Sequence, residues 1–277
     1  MVDSYKLSSK DLMKPSLVGV KAKYANAMQH ADRLEGIYLR WRKSMSDNPP
    51  VEFPKIQSPN ILKFSVKAPP PDPQLSLILG DFVHNLRVSL DHLASQLAAR
   101  DGHNIKKRSS LAFPIFTDKS EYKKNEDRKI KKFIKDISVF EAIDEIQPYH
   151  LDDPRTDPLW LLSELDNIDK HRTLVVIAPR IDKKGVPMFT LGPAKDGKPP
   201  VATGPYTMGF QVELQPNNPV FTKDSATHSI TFWIDTTIVL TNTGLLCDNW
   251  PIQKLIQILS TRVQEILNKF EKRFFSK

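Results

Sequence analysis

Leu17, Val20, Tyr24, Ala31, Leu34, Tyr38 and Trp41 recur at spacings of three, four and seven residues, which places them on one face of a helix spanning 16–45. Pro49 and Pro50 lie just past its end. Leu62, Phe64 and Val66 then alternate with Lys63, Ser65 and Lys67, the period of a strand over 61–67. The run from Pro69 to Pro73 forms a stiff extended connector. Residues 74–100 are the second long helix. Leu79, Val83, Leu86, Leu90, Leu93 and Leu97 make its apolar stripe, and Gly102 stops it.

Asp118 and Glu121 have capping-box spacing for a basic helix over 119–135, and a short helix near 138–146 ends before Pro148. Asp157 followed by Pro158 starts a helix that runs to about Arg172, with Leu161, Leu165 and Ile168 inward. The pattern then changes. Residues 173–178, 186–191, 207–214 and 228–240 are richer in β-branched and aromatic residues and read as strands, with a loop over 192–205. Ile252, Leu255, Ile256, Leu259, Val263, Ile266, Leu267 and Phe270 define a closing helix over 250–273. The expected fold is α+β: one composite domain over 1–277. A helical bundle (16–172 and 250–273) carries a small antiparallel sheet from 173–240, inserted before the last helix and joined by the strand at 61–67.

Composition changes this picture little. At 40% hydrophobic and 26% charged, the 277 residues are globular in character and sufficient for a real core. The one cysteine, Cys247, excludes a disulfide within the chain and, beside Leu245 and Leu246, reads as a buried thiol. No apolar run approaches the ~18 residues of a membrane span, and the polar N-terminus has no signal-like h-region, so a cytoplasmic location without membrane contact is expected. The net charge of +8 favours anionic partners such as nucleic acid or a lipid surface.

Chemistry concentrates on the second helix. On its wheel Arg87 falls between Ala94 and Ala98 on the flank of the leucine stripe, and Asp91, His84, Ser95, Val88, Asp81 and His92 follow round the polar arc. One reading is a solvated face with an Arg87–Asp91 pair one turn apart. Two histidines are poor helix formers to choose for solubility alone. Val88 amid the polar residues, with two small alanines nearby, points to a second packed surface, and so to a homodimer. In the 157–172 helix, Trp160, Glu164, Asn167 and His171 follow one face. Packing of the two helices is expected to bring Asn167 or His171 within reach of His84, Asp91 or His92. The alternative is a charged helix end, where Lys170, His171 and Arg172 suit the C-terminal dipole.

Arg87, four residues and His92 resemble the R-x4-6-H motif of HEPN-type proteins, many of which are ribonucleases and which occur in toxin and defence systems. The resemblance implies a metal-independent endoribonuclease or RNA-binding protein without a cofactor, with Arg87 and His92 catalytic and His84, Asp91, Asn167 and His171 in support. It also implies a site shared across a dimer. A histidine can move protons to and from the RNA hydroxyls, and an arginine can hold the phosphate. The strings around Gly80-Asp81, His84 to Arg87, Leu90 to Leu93, Gln147 to Tyr149 and Asp169 to Arg172 are similar to a group of uncharacterised bacterial proteins, which implies no activity. Two alternatives stay open. One is a non-catalytic dimeric interaction protein. The other is a metal-dependent hydrolase drawing on His84, Asp91, His92, Asp166, Asp169 and His171, although the spacing lacks the helical metal motifs Glu-x-x-His and His-Glu-x-x-His.

Overall fold

The structure is a computed structural model that describes residues 15–47, 51–52, 61–63, 65–66, 71–102, 111–126, 130–181, 213–215, 218–222 and 236–276. Its helices are α1 (Val18–Asp47), α2 (Gln74–Arg100), α3 (Lys119–Asn125), α4 (Lys131–Phe133), α5 (Ile137–Asp144), α6 (Pro158–His171) and α7 (Ile252–Phe270). A π-helical turn, Glu271–Phe275, extends α7.

Two of the long helices, α2 and α6, begin where the sequence supplies a partner for a free N–H group. The Asp72 carboxylate accepts from the N–H of Gln74 at 2.9 Å at the head of α2. Asp157 does the same for Leu159 at 2.7 Å at the head of α6, where Pro158 has no N–H to satisfy. Asp157 is buried, and its other oxygen receives a bond from Arg262 of α7 at 3.0 Å, so the cap also ties two helices together. Past the end of α2, Gly102 takes a left-handed φ of 81°, which glycine reaches without a clash.

α1, α2, α6 and α7 form an antiparallel four-helix bundle. Its core contains Val20, Leu34, Leu79, Leu86, Leu90, Leu93, Leu162, Leu165, Leu259 and Phe270, all essentially inaccessible to solvent. Contacts along the seams fix the directions. Asn26 of α1 donates to Asn85 of α2 at 3.0 Å, and Gln96, at the far end of α2, accepts from the N–H of Ser16. Tyr24 of α1 reaches Ser260 and Gln264 of α7, and Lys21 pairs with Glu271 at 2.6 Å.

The helix expected over 119–135 is two pieces, α3 and the single turn α4. The Asp118 cap over Glu121 is present at 2.9 Å. Glu126 explains part of the basic composition there: it is buried and bonded to Lys123 at 2.8 Å and Lys131 at 3.2 Å. Those two lysines neutralise an interior carboxylate instead of forming a free basic face. Lys129 lies outside the described residues.

The single small sheet expected over 173–240 is not shown. The described strands are short and fall into three separate antiparallel ladders. β1 (Val51–Glu52) pairs with β3 (Ser65–Val66). β2 (Ile61–Lys63) and β5 (Glu213–Gln215) flank β6 (Asn218–Thr222), and β4 (Val175–Ile181) pairs with β7 (Thr236–Thr241). The strand expected at 186–191 and most of that at 207–214 lie outside the described residues. The β4–β7 pair sits against the bundle: the N–H of Val176 donates to Ser76 of α2 at 3.3 Å, and Ile238 and Leu240 are core residues. Among the described residues no helix is long and apolar enough to cross a membrane.

Candidate functional site

α2 has three polar seams, and the residues singled out on it are divided among them. Arg87 and His92 are five positions apart, about 140° round the helix. They meet different neighbours.

Arg87 faces the segment 111–116. Its Nη2 donates to the carbonyl of Phe113 at 2.8 Å and lies 3.2 Å from Oδ1 of Asp91. The same Asp91 oxygen accepts the N–H of Phe113 at 2.8 Å. Both backbone groups of Phe113 are therefore taken by one ion pair of α2. Among the described residues the segment has no strand partner, and buried backbone groups need partners from somewhere. Gln147 supplies the next pair. It is 2% exposed, accepts from the N–H of Phe116 at 3.0 Å, and donates to the carbonyl of Pro114 at 3.0 Å. The Phe113 ring packs edge-on to Phe270 at 6.1 Å. Arg87, Asp91 and Gln147 thus strap an extended segment onto the bundle. The Arg87 side chain is only 11% exposed, so its planar fork is not presented to solvent where a phosphate could take it.

His92 faces α1. A β-carbon on Gly19 would sit 3.5 Å from its Nδ1, so the ring lies against the α1 backbone. Within one chain, Arg87 and His92 do not converge.

His84 faces α6. Its Nδ1 lies 3.0 Å from Oδ1 of Asp166. Asp166 is 2% exposed, whereas the imidazole is 52% exposed. The other Asp166 oxygen is 2.5 Å from the ammonium of Lys170, one turn further along α6. The polar strips of α2 and α6 do meet at His84, but its partner on α6 is neither Asn167 nor His171. Asn167 and His171 are exposed, and among the described residues neither bonds to His84, Asp91 or His92. Asp166, read from sequence only as a candidate metal ligand, occupies their place. A signal for it existed: it is four residues from Leu162 and seven from Leu159, a carboxylate on the apolar stripe of α6. Such a residue must find cationic or donor partners.

One turn towards the start of α2, the carboxylate of Asp169 lies directly over Gly80. A β-carbon at Gly80 would fall 2.3 Å from Oδ1 of Asp169. Burial pushes the Asp169 carboxyl above its ordinary range, and the nearby Asp166 and Asp81 charges add to this. The His84 ring and the N–H of Leu174 work the other way. Asp169 thus feels two neighbouring carboxylates and the half-exposed His84.

Two stability predictions follow from this crowding. Gly80→Ala normally stabilises a helix by up to about 1 kcal/mol. Here it must displace Asp169 from Leu174, a charge-assisted bond worth about 1.5–3 kcal/mol. A net loss of about 1–2 kcal/mol is expected in urea unfolding, and the same substitution in an Asp169→Ala background should be neutral or stabilising. Equal losses in both backgrounds would remove the contact from the account. The second concerns pH. A carboxyl whose folded pKa is raised binds its proton more tightly in the native state, so its contribution falls as pH rises through that pKa. Asp169→Asn should raise the unfolding midpoint at neutral pH, with the gain fading as pH drops below the ordinary aspartate range. A lower midpoint at neutral pH would mean that the charged bond to Leu174 outweighs the repulsion.

Among the described residues no group of three or more His, Cys, Asp or Glu side chains is arranged to hold a metal ion. Cys247 is buried beside Thr243, with Sγ 3.8 Å from its hydroxyl, and burial pushes the thiol up. That environment suits packing and not nucleophilic attack. Comparison with family models, with curated proteins and with solved structures gave no match for the chain.

Proposed function

We propose that the protein is a metal-independent endoribonuclease whose acid–base residue is His84. The observation that carries this reading is the half-exposed His84 ring, bonded through Nδ1 to the buried Asp166 carboxylate at 3.0 Å. A carboxylate at Nδ1 holds the Nδ1–H tautomer and leaves the Nε2 lone pair towards solvent. That is the arrangement a general base needs. Nε2 would take the proton of an RNA 2′-hydroxyl while O2′ attacks phosphorus. The P–O5′ bond breaks, the leaving oxygen takes up a proton, and a 2′,3′-cyclic phosphate remains. Lys170, half-exposed beside Asp166, is the nearest cation for the phosphate oxygens. The net charge of +8 suits an RNA partner, and the R-x4-6-H resemblance supports the same substrate class and a role in toxin or defence systems. Against the expectation from that motif, the reading moves the centre from Arg87 and His92 to His84 and Asp166.

A second reading is a non-catalytic dimeric interaction protein. It is favoured by Val88, an apolar residue that stays partly exposed on the polar side of α2. The two readings part on one assay. Purified protein should cut single-stranded RNA in excess EDTA and leave cyclic-phosphate ends. Intact RNA after prolonged incubation, together with a dimer in scattering measurements, would replace the first reading by the second.

A further inference from the structure

A second polar feature lies beyond the end of α6, apart from His84. A cavity of about 700 Å³ opens between the α6 terminus and the loop that follows β7. Its walls include Arg172, Thr173, Thr241 and Asn242, with Ile168 and Leu174 as a small apolar floor. The size suits a small-molecule ligand, and the mixture of a few polar groups over an apolar patch is typical of such sites.

The loop that forms one wall is held rigidly. Asp248 accepts from the N–H and the hydroxyl of Thr243 at 3.0 and 2.7 Å, and from the N–H of Gly244 at 3.0 Å. Burial pushes the Asp248 carboxyl up, but those bonds and the nearby Arg172 charge outweigh it and hold it below the usual range. The N–H of Asn249 donates to the carbonyl of Leu240 at 2.7 Å, which closes the loop onto β7. Asn242 and Asn249 both hold left-handed backbone, with φ of 59° and 66°. Asn242 therefore sits on the cavity wall in a conformation that only a few residue types adopt.

The donors and charges decide the ligand class. Asp248 is already committed to three donors, so it leaves little capacity for a cation. Arg172 is exposed, and among the described residues no carboxylate lies within ion-pair distance of it. Its fork matches the geometry of a phosphate or carboxylate. The hydroxyls of Thr173 and Thr241 and the amide of Asn242 can both donate and accept, as the hydroxyls of a sugar require.

We propose that this cavity binds a phosphorylated sugar, free or as part of a nucleotide, with Arg172 on the phosphate and Thr241 and Asn242 on the sugar hydroxyls. The site is separate from the acid–base pair and does not depend on RNA cleavage. A link between the two exists, because the N–H of Leu174, in the cavity floor, bonds to Asp169 over Gly80.

The test is calorimetric titration of the full chain with ribose 5-phosphate, adenosine 5′-monophosphate, ribose and inorganic phosphate. At least one of the two phosphate esters should bind with a millimolar or lower Kd, and more tightly than either ribose or phosphate. Arg172→Gln should weaken that binding at least about tenfold, the loss of one charge-assisted contact. Thr241→Val should weaken it several-fold, with unfolding midpoints unchanged in both variants. If Arg172→Gln does not fold, Arg172→Lys, which keeps the charge without the fork, should still lose affinity. Absence of binding by both esters, inorganic phosphate binding as tightly as the esters, or affinities that neither arginine substitution alters would each overturn the proposal.

Discussion

Arg87→Ala is expected to lower the stability of the protein by about 2–4 kcal/mol, the cost of breaking a largely buried ion pair that also satisfies backbone groups. Two bonds are lost at once, and a third loses its support. The carbonyl of Phe113 loses its donor at 2.8 Å, Asp91 loses its cation at 3.2 Å, and Asp91 is left alone on the N–H of Phe113. The segment 111–116 then keeps Gln147 and the Asp91 bond to the N–H of Phe113 as polar ties to the bundle, and the Phe113 ring is less firmly held against Phe270. A domain of this size loses roughly 2–4 °C of melting temperature per kcal/mol, so a fall on the order of 5–15 °C should appear in thermal unfolding. Arg87→Lys should recover only part of it, because the shorter lysine must bring its ammonium to the one point where Nη2 meets both Phe113 and Asp91. An Arg87→Ala protein of unchanged stability that had lost an RNA-directed activity would return this arginine to the catalytic role that its spacing from His92 implies.

Asp166→Asn should have the opposite profile: little change in stability and a large loss of rate. The substitution removes the attraction to His84 and Lys170, but it also relieves repulsion between Asp166 and Asp169. For catalysis there is no such offset. An amide can accept from Nδ1 or donate to it, so the ring is no longer held in the tautomer that exposes a basic Nε2. RNA cutting should fall at least about tenfold, within the range that positioned acid–base groups contribute. The loss should appear in kcat with KM little changed, since Asp166 is buried beneath the ring and does not reach the substrate. A rise in KM at constant kcat would mean that the pair shapes binding and not proton transfer.

The helices were legible in the sequence because they are long and their apolar spacing is unbroken. α2 has the bounds expected of it, and α1, α6 and α7 differ by one to three residues at their ends. The polar residues were harder to read, for a reason that α2 makes plain. Periodicity tells which face a residue occupies, but not what packs there. Arg87 lies on the flank of the leucine stripe, where its spacing to Asp91 looks like a surface ion pair. The strand-like segment that needs its donors is more than twenty residues away in sequence. Gln147 is the same case, a polar residue in a recognisable string whose task is to satisfy a neighbouring backbone. His84 was legible as an oddity, and Asp166 only as an acid on an apolar stripe. Their meeting depends on the antiparallel packing of α2 and α6, which no local pattern contains. The small sheet was only partly legible, because β-branched composition over 173–240 gives strand propensity without saying which strands pair.

The central claim is that the chemistry of α2 belongs to the seam with α6, at His84, and not to the R-x4-6-H pair. The most direct measurement is cutting of single-stranded RNA in excess EDTA by His84→Ala and His92→Ala side by side, with unfolding midpoints recorded for both. His84→Ala should lose cutting by about 10²–10⁴-fold, the usual worth of a general base, and should remain folded because Asp166 still holds Lys170. His92→Ala, which removes a ring lying against the α1 backbone, should cut within a few-fold of the unsubstituted protein. A folded His84→Ala that cuts normally, beside a folded His92→Ala that does not, would contradict the account.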